Sequence, residues 1–463
     1  MEYGTFFGRK PIYTDYEIID ETNVVEVLTD ALPTHSSNVD QITFLYNYYV
    51  GNQPILQREK KVRKEINNKV VENRAMEIVS FKTGYLMAEP IQYVSNGEEE
   101  MTEPINALNK YMRLAHKHHY DQMLSWWSHI AGTSYRMTMP AITNDPDRSP
   151  FELYTIDPRS CFVVYWGGLG NRPVLGVYIV TKQDGVVEYY CYTDRACYKV
   201  VNEEIVDITP HLLREIPIVE YPANFARLGS FEPVLSMLDS INIVSSNRLD
   251  GIEQFIQSLL VLMGVDMKKE QFIELRELGG IQIPEGGDIK YLVQELNQMQ
   301  TQTLVDYLYQ TILTICGMPN RNGGSSTSDT GVAVHIRDGW EAAENRAKDS
   351  EGMFVFSEEL TLRLVKQIMS VYRDIDLSLA TVDVRFTRRN YENIQEKSQV
   401  LTTMLSNPKI APLLSFKHCG MFSDPEEAYR MSLRYEEECR QRQIDELKAL
   451  RTSPTASVSE TDV

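Results

Sequence analysis

The chain has 463 residues, enough for roughly two to four domains with cores of their own. Hydrophobic residues make up 43% and charged residues 24%, a globular balance that excludes a mainly disordered chain. There are 65 acidic residues against 46 basic ones, a formal net charge of −19; this argues against tight, sequence-independent DNA binding, which needs Lys and Arg to neutralise phosphates. That charge is still compatible with a surface past which DNA slides without sticking, and with an acidic protein that never meets DNA. The cysteines, Cys161, Cys191, Cys197, Cys316, Cys419 and Cys439, never form C-x-x-C, so neither a zinc framework nor a secreted disulfide scaffold is expected. Residues 1–30 hold no basic stretch followed by an apolar core, so no signal peptide is expected. The most apolar run, SLLVLMGV at 258–265, is far shorter than the about 20 residues of a membrane span. A soluble protein made in the cytosol is the expectation.

Residues 1–35 read as a loosely organised arm. NVDQITFLYNYYVGNQPI then gives a short helix with Ile42, Leu45 and Tyr49 on one face, stopped by Gly51 and Pro54. The following stretch opens with the basic run QREKKVRKEINNK, read as a solvated helix face or as a contact to nucleic acid or an acidic neighbour. Val70, Ala75, Ile78, Val79 and Phe81 then fall at roughly helical spacing up to Pro90. Another helix spans about 103–131. From about 133 to 222 the period changes to two, in short β-branched and aromatic runs such as CFVVYW and VLGVYIV, and an antiparallel sheet is expected.

A long helix is predicted from Phe231 to about Val265, on Val234, Leu238, Ile241, Leu249, Ile252, Ile256, Leu259 and Met263, with a gap in its apolar stripe at Ser245 and Ser246. After a short helix, GGIQIPEGGDIKYLV carries paired glycines around two short strands. A second long helix, about 300–316, has Leu304, Leu308, Ile312 and Ile315 on one stripe and ends at Gly317-Met-Pro319. A helical region at about 331–373 has Gly339 and Gly352 as weak points, and ATVDVRFTRR reads as a strand. Two helices follow, the last opened by the capping box Ser423-Asp-Pro-Glu426, and the chain ends in a disordered tail.

The loop CGMPNRNGGSSTSDTGVAV could be a phosphate cradle, but a Walker loop needs Gly-Lys-Ser/Thr after a strand. Here Gly324 precedes Ser325, no lysine lies between Lys290 and Lys348, and the preceding element is a helix. A flexible polar linker fits better. His116, His118, His119, Asp121 and His129 form the densest histidine cluster; a weak metal site is conceivable, and solvated helix-face histidines fit better without H-E-x-x-H. Trp126 and Trp127 read as core or subunit contact. No G-x-S-x-G elbow and no base beside a cysteine selects an active site.

The order of these pieces resembles the phage portal proteins, the head–tail connectors of tailed phages with Gram-positive hosts. The residues that carry the resemblance are Tyr46, Tyr49, Gly51, Gln53, Ile55, Asn67, Asn68, Asn73, Gly84, Tyr85, Leu86, Pro90 and Ile91. Asp329-Thr330-Gly331-Val332-Ala333 and the VRFTRRNYENIQEKSQVLTTML stretch continue it, over about residues 35–450; the family's glycine is replaced here at Ala88 or Glu89.

The resemblance implies an α+β portal fold with a mixed α/β wing, long stem helices, a small α/β clip and a helical crown. Its divisions would be an arm (1–35), a wing of helices and antiparallel strands (36–232), a stem helix (233–265), the clip (266–297) and a second stem helix (298–319). A tunnel loop (320–331), a wing helix and strand (332–390), crown helices (391–450) and a tail (451–463) would follow.

It implies further that Asn320, Arg321, Asn322, Gly323, Gly324, Ser325, Ser326, Thr327, Ser328 and Asp329 meet DNA in the channel. In the clip, Gly279, Gly280, Ile281, Gln282, Ile283, Pro284, Glu285, Gly286, Gly287 and Asp288 would meet terminase or an adaptor. The implied partners are eleven further copies in a ring of twelve, double-stranded DNA, the terminase large subunit, major capsid and scaffolding proteins and a head-completion adaptor. No membrane and no cofactor is expected, and no enzyme; the place would be the virion's portal vertex, assembled in the host cytoplasm. The alternatives are a nucleic-acid-processing enzyme, which would show metal-dependent turnover, and another head–tail adaptor, which would bind a preformed ring.

Overall fold

The computed structural model describes residues 8–61, 63–95, 102–143, 145, 147–256, 259–263, 288–292, 298–320, 339–387, 394–422 and 425–452. The elements used below are, in chain order, β1 (Ile12–Thr14), α1 (Val24–Tyr49), α2 (Arg74–Leu86), β2 (Gln92–Ser95), α3 (Thr102–Leu114), α4 (Lys117–Ala131) and β3 (Thr133–Pro140). Next come β4 (Phe151–Ile156), β5 (Cys161–Trp166), β6 (Pro173–Thr181), β7 (Val187–Tyr192), β8 (Ala196–Val201), β9 (Glu204–Pro210) and β10 (Ile218–Pro222). After these lie α5 (Leu235–Ile256), β11 (Leu259–Met263), β12 (Asp288–Leu292), α6 (Gln298–Cys316), α7 (Trp340–Arg373), β13 (Val382–Arg385), α8 (Ile394–Leu405), α9 (Pro412–His418) and α10 (Pro425–Thr452). By its internal contacts the chain divides into two units. One holds Met1–Gly84, Met123–Met137 and Thr155–Ser357; the other holds Tyr85–Gln122, Thr138–Tyr154 and Glu358–Val463.

In the first unit a six-stranded sheet runs in the order β1-β5-β6-β7-β8-β9. It is antiparallel from β5 to β9, and β1 adds parallel to β5 with Ile12 opposite Val164. The alternation along β8 leaves Ala196, Tyr198 and Val200 buried while their neighbours are half-buried, the pattern of a sheet with one covered face. The cover is the amino-terminal half of α1: Val24, Val27, Leu28 and Ala31 pack with Phe162, Val164, Leu175, Val177 and Val200. β10 pairs with β3, Ile218 opposite Met137, in a second sheet of order β10-β3-β4.

A second core joins helices. Leu45 and Tyr48 of α1, Ala75, Ile78 and Val79 of α2, Leu238 and Ile241 of α5, and Val305, Ile312 and Leu313 of α6 are buried together. Each large aliphatic there contributes about 1.5–3 kcal/mol by leaving water.

The second unit holds β2 paired with β13, Tyr93 opposite Val384, with α3 against β2. Its interior carries charge. Lys117 donates to Asp121 at 2.6 Å and lies 3.3 Å from Glu358, which also accepts from the Tyr93 hydroxyl at 2.6 Å; all four residues are buried. Phe416 stacks on Phe422 where α9 leads toward α10.

Several expectations change. The arm is ordered from residue 8 in its described part: β1 joins the sheet and α1 starts at Val24, running through Pro33. A helix-interior proline costs about 3 kcal/mol or more, and four buried apolar side chains in the first two turns offset it. The basic run is no helix face, since residues 58–73 lie outside helices and α2 begins at Arg74. The 103–131 helix is two helices, broken where His116 adopts φ +53°. The helix expected to Val265 ends at Ile256 within the described residues, and Leu259–Met263 is a strand. A short apolar run fits helix and strand alike, and the partner strand at Asp288–Leu292 decides it. α7 runs unbroken past Gly352, and Gly339, at φ +80°, precedes it.

Candidate functional site: the helix pair and its polar clasp

α5 and α6 pack on each other, and each leads to one of the segments assigned a role above. α5 is followed by β11, which pairs with β12 so that Met263 faces Asp288; the ladder therefore closes the ends of the 264–287 segment together. Of the clip residues 279–288, only Asp288 lies among the described residues, as the first residue of β12.

α6 ends in a Schellman motif. The Met318 N–H donates to the Leu313 carbonyl at 2.8 Å, and the Gly317 N–H to the Thr314 carbonyl at 3.2 Å, with Gly317 at φ +64°. A glycine is needed there twice over, because a Cβ would also lie 2.5 Å from Cγ of Arg346. The chain then reaches Asn320, the one tunnel-loop residue among those described. It is described again from Gly339, where a Cβ would lie 3.8 Å from the Met318 oxygen and the Pro319 Cα. Both feet of the 321–338 segment thus stand side by side.

α6 has two apolar faces. Val305, Ile312, Leu313 and Cys316 of α6 are buried in the helical core, while Leu304, Tyr307 and Ile315 are exposed, Tyr307 by 64%. The predicted stripe through Leu304, Leu308, Ile312 and Ile315 therefore straddles both faces. On α5 the exposed apolar residues are Ile243, Leu249 and Ile252.

Beside its buried apolar face α5 carries a polar line at helical spacing, Asn242, Ser246 and Asp250, all buried. It clasps the irregular 53–73 segment. Asp250 accepts from Lys60 at 2.7 Å and from the backbone and side-chain nitrogens of Asn68 at 2.8 and 3.0 Å, and pairs ionically with Arg58 at 3.1 Å. Burial alone would raise its pKa, but the Lys60 and Asn68 hydrogen bonds outweigh that and hold the carboxylate below its ordinary range. Ser246 accepts from the Val70 N–H at 3.0 Å and Asn242 from the Glu72 N–H at 2.8 Å. Gln53 donates to Asn73, and Asn73 donates to the Tyr49 carbonyl at 2.8 Å.

The contact to an acidic neighbour proposed for the basic run is therefore real for Arg58 and Lys60. Four residues that carry the resemblance, Gln53, Asn67, Asn68 and Asn73, are clasp residues. Sequence reading missed Asn242, Ser246 and Asp250; the only signal was the interruption of the apolar stripe at Ser245 and Ser246.

The chemistry available elsewhere is muted. Burial pushes the Cys197 and Cys316 thiols up to about 11, so neither is a nucleophile near pH 7. Burial holds His35 neutral, with its pKa lowered to about 4. His116 and His119 are exposed, whereas His129 is buried, against the expectation of a solvated histidine face. Among the described residues no group of three or more His, Cys, Asp and Glu could hold a metal ion. Trp127 packs with Ile42 and Ala131, the core role expected of it. No described helix is long and apolar enough to cross a membrane.

The profile of the family described as phage portal protein, SPP1 Gp6-like, matches residues 30–445, and the chain belongs to that family. Its place is the portal ring at one vertex of the capsid. Among solved structures, a chain in the neck of an empty gene transfer agent particle, computed with C6 symmetry, is similar at 13% identity and TM-score 0.47; the match covers 83% of this chain and 94% of that one. A chain in the neck of the native particle, computed with C12 symmetry, matches at 13% identity and TM-score 0.42 over 76% and 91%. No curated protein matches.

Proposed function

We propose that this chain forms a twelve-membered ring through which double-stranded DNA enters during packaging and leaves through the tail. The observation that carries this reading is the exposed apolar face of α6. Leu304, Tyr307 and Ile315 on α6, with Ile243, Leu249 and Ile252 on α5, are exposed in the single chain. A neighbouring copy is the occupant a cyclic ring supplies for such a face.

The 320–331 segment is the tunnel loop in this reading. Its glycines and small hydroxyls, with one cation at Arg321 and one anion at Asp329, touch a moving phosphate backbone without gripping it. The 266–297 clip, from Gly279 to Asp288 above all, receives the terminase large subunit and later the head-completion adaptor. The crown and wing meet scaffolding and major capsid proteins. ATP hydrolysis belongs to the separate terminase motor, which agrees with the missing Walker lysine and the protonated thiols; this chain is not an enzyme, and it assembles in the host cytoplasm.

The test is electron microscopy with mass measurement on the purified protein. Rings with a central hole wide enough for a duplex, and a mass near twelve chains, support the reading. A chain that stays monomeric even with scaffolding and capsid proteins supplied overturns it, as does intrinsic ATPase activity.

A further inference from the structure

Four helices of the first unit meet where α6 ends. Cys316, its last residue, donates its thiol hydrogen to the Ser230 carbonyl at 3.6 Å, and the Ser230 hydroxyl lies 2.8 Å from Nδ1 of His129 on α4. Gly317 then turns against Arg346 of α7. Phe81 of α2 faces Trp340 of α7 with ring centres 6.2 Å apart, and the residue after Phe81 is Lys82. The Lys82 ammonium is close enough to act electrostatically on His129, Cys316 and Arg346.

The groups at this junction are donors: Arg346 is exposed, Lys82 half-buried and His129 buried. Among the described residues neither Lys82 nor Arg346 has a carboxylate partner. His129 is 5% exposed, and its Nε2 finds no hydrogen-bond partner. Burial and then the Lys82 charge hold the ring neutral, with its pKa lowered to about 3. When Nδ1 accepts from the Ser230 hydroxyl, the neutral ring keeps its hydrogen on Nε2 and donates it. Burial, and then the like charge of Arg346, lower the pKa of Lys82. Two cations this close repel each other, and an anion beside them relieves that repulsion.

We propose that Lys82, Arg346 and His129 form a binding site for a phosphate-class oxyanion beside the feet of the 321–338 segment. Arginine supplies a planar fork, lysine a point charge and the imidazole a single N–H. Donors arriving from three different helices suit a tetrahedral anion with three or more oxygens better than a carboxylate with two. The ligand is either free phosphate or a phosphodiester of a nucleic-acid backbone. The site does not depend on the ring.

The experiment is thermal unfolding and calorimetric titration of the full chain with inorganic phosphate, against chloride at matched ionic strength. A 20-base-pair duplex is then titrated with and without phosphate. Phosphate is expected to raise the melting temperature above the chloride control. K82Q/R346Q is expected to weaken phosphate binding by roughly tenfold or more, as the loss of two charge-assisted bonds requires. K82R/R346K, which keeps both charges, guards against a simple loss of fold and is expected to retain part of the binding. Duplex binding that falls in K82Q/R346Q and is competed by phosphate identifies the backbone as the source. Phosphate binding that leaves the duplex unaffected identifies the free anion. No phosphate effect beyond chloride, or an equal effect in K82Q/R346Q, overturns the site.

Discussion

Asp250 gathers two cations and an asparagine on one carboxylate, and removing it leaves Arg58 and Lys60 facing each other without a common partner. Asp250→Ala is therefore expected to cost about 2–3 kcal/mol in urea unfolding, with Asp250→Asn costing less because it can still accept from Asn68. Lys117 presents a harsher case: Lys117→Met removes a buried cation that Asp121 and Glu358 share, and a loss of about 3–5 kcal/mol is expected. By contrast, the Lys448–Asp445 pair is exposed and screened by solvent, so breaking it is expected to leave stability nearly unchanged. Titration separates two further groups. His35 and His129 are held at about 4 and about 3, so the unfolded chain takes up their protons first, and stability falls as pH drops through about 6.5. Asp239, which accepts from the Tyr48 hydroxyl at 2.8 Å, is pushed up by burial to about 6. The folded state therefore binds its proton better than the unfolded chain, and its contribution is lost as pH rises from about 4 to 6. Melting temperatures against pH should show Asp239→Asn above the parent at pH 7 and equal to it near pH 4; no difference at pH 7 would remove the burial account.

At the scale of elements, the Schellman turn after α6 and the outer face of the helix pair give opposite kinds of variant. Gly317→Ala forces a side chain into a left-handed turn and against Arg346, and a loss of at least about 1–2 kcal/mol is expected, read by thermal unfolding. Leu304→Glu with Tyr307→Lys leaves the core untouched, so circular dichroism should be unchanged while native mass spectrometry shows the ring lost. Retained rings would move the subunit contact elsewhere. Such helix ends were legible beforehand, since Gly317-Met-Pro319 is a stop signal in any context and Pro425 opens α10 as its local chemistry predicts. The strands from Thr133 to Pro222 were legible as β-branched and aromatic runs between turn residues, although β8 alternates in burial while β3, β5 and β10 are buried on successive residues. Other elements were decided by partners far away in sequence. Pro33 reads as a breaker until the sheet beneath α1 is known, and Leu259–Met263 reads as helix until β12 is set beside it. The polar line Asn242, Ser246 and Asp250 reads as a defect in a stripe until the 53–73 segment fills it.

The whole molecule carries a net charge of −19, and a ring multiplies that charge with every copy added. Self-repulsion of this kind is screened over about 10 Å at 0.1 M salt and over about 30 Å at 0.01 M. Assembly is therefore expected to rise with ionic strength across that range, measured as the ring fraction by light scattering at fixed protein concentration. A ring fraction that falls with salt would mean that attraction between unlike charges, not apolar contact, joins the copies.

The side-by-side placement of Met318 and Gly339 also bears on how this protein can change over generations. A stretch of chain that leaves and returns at one spot puts little tension on its surroundings, whatever its length. Doubling it adds only about 0.6 kcal/mol of closure entropy. The closure of such a stretch therefore sets little limit on insertions and deletions between those two residues. The lineage has a place where new sequence can be tried while the helices that hold its two ends stay as they are.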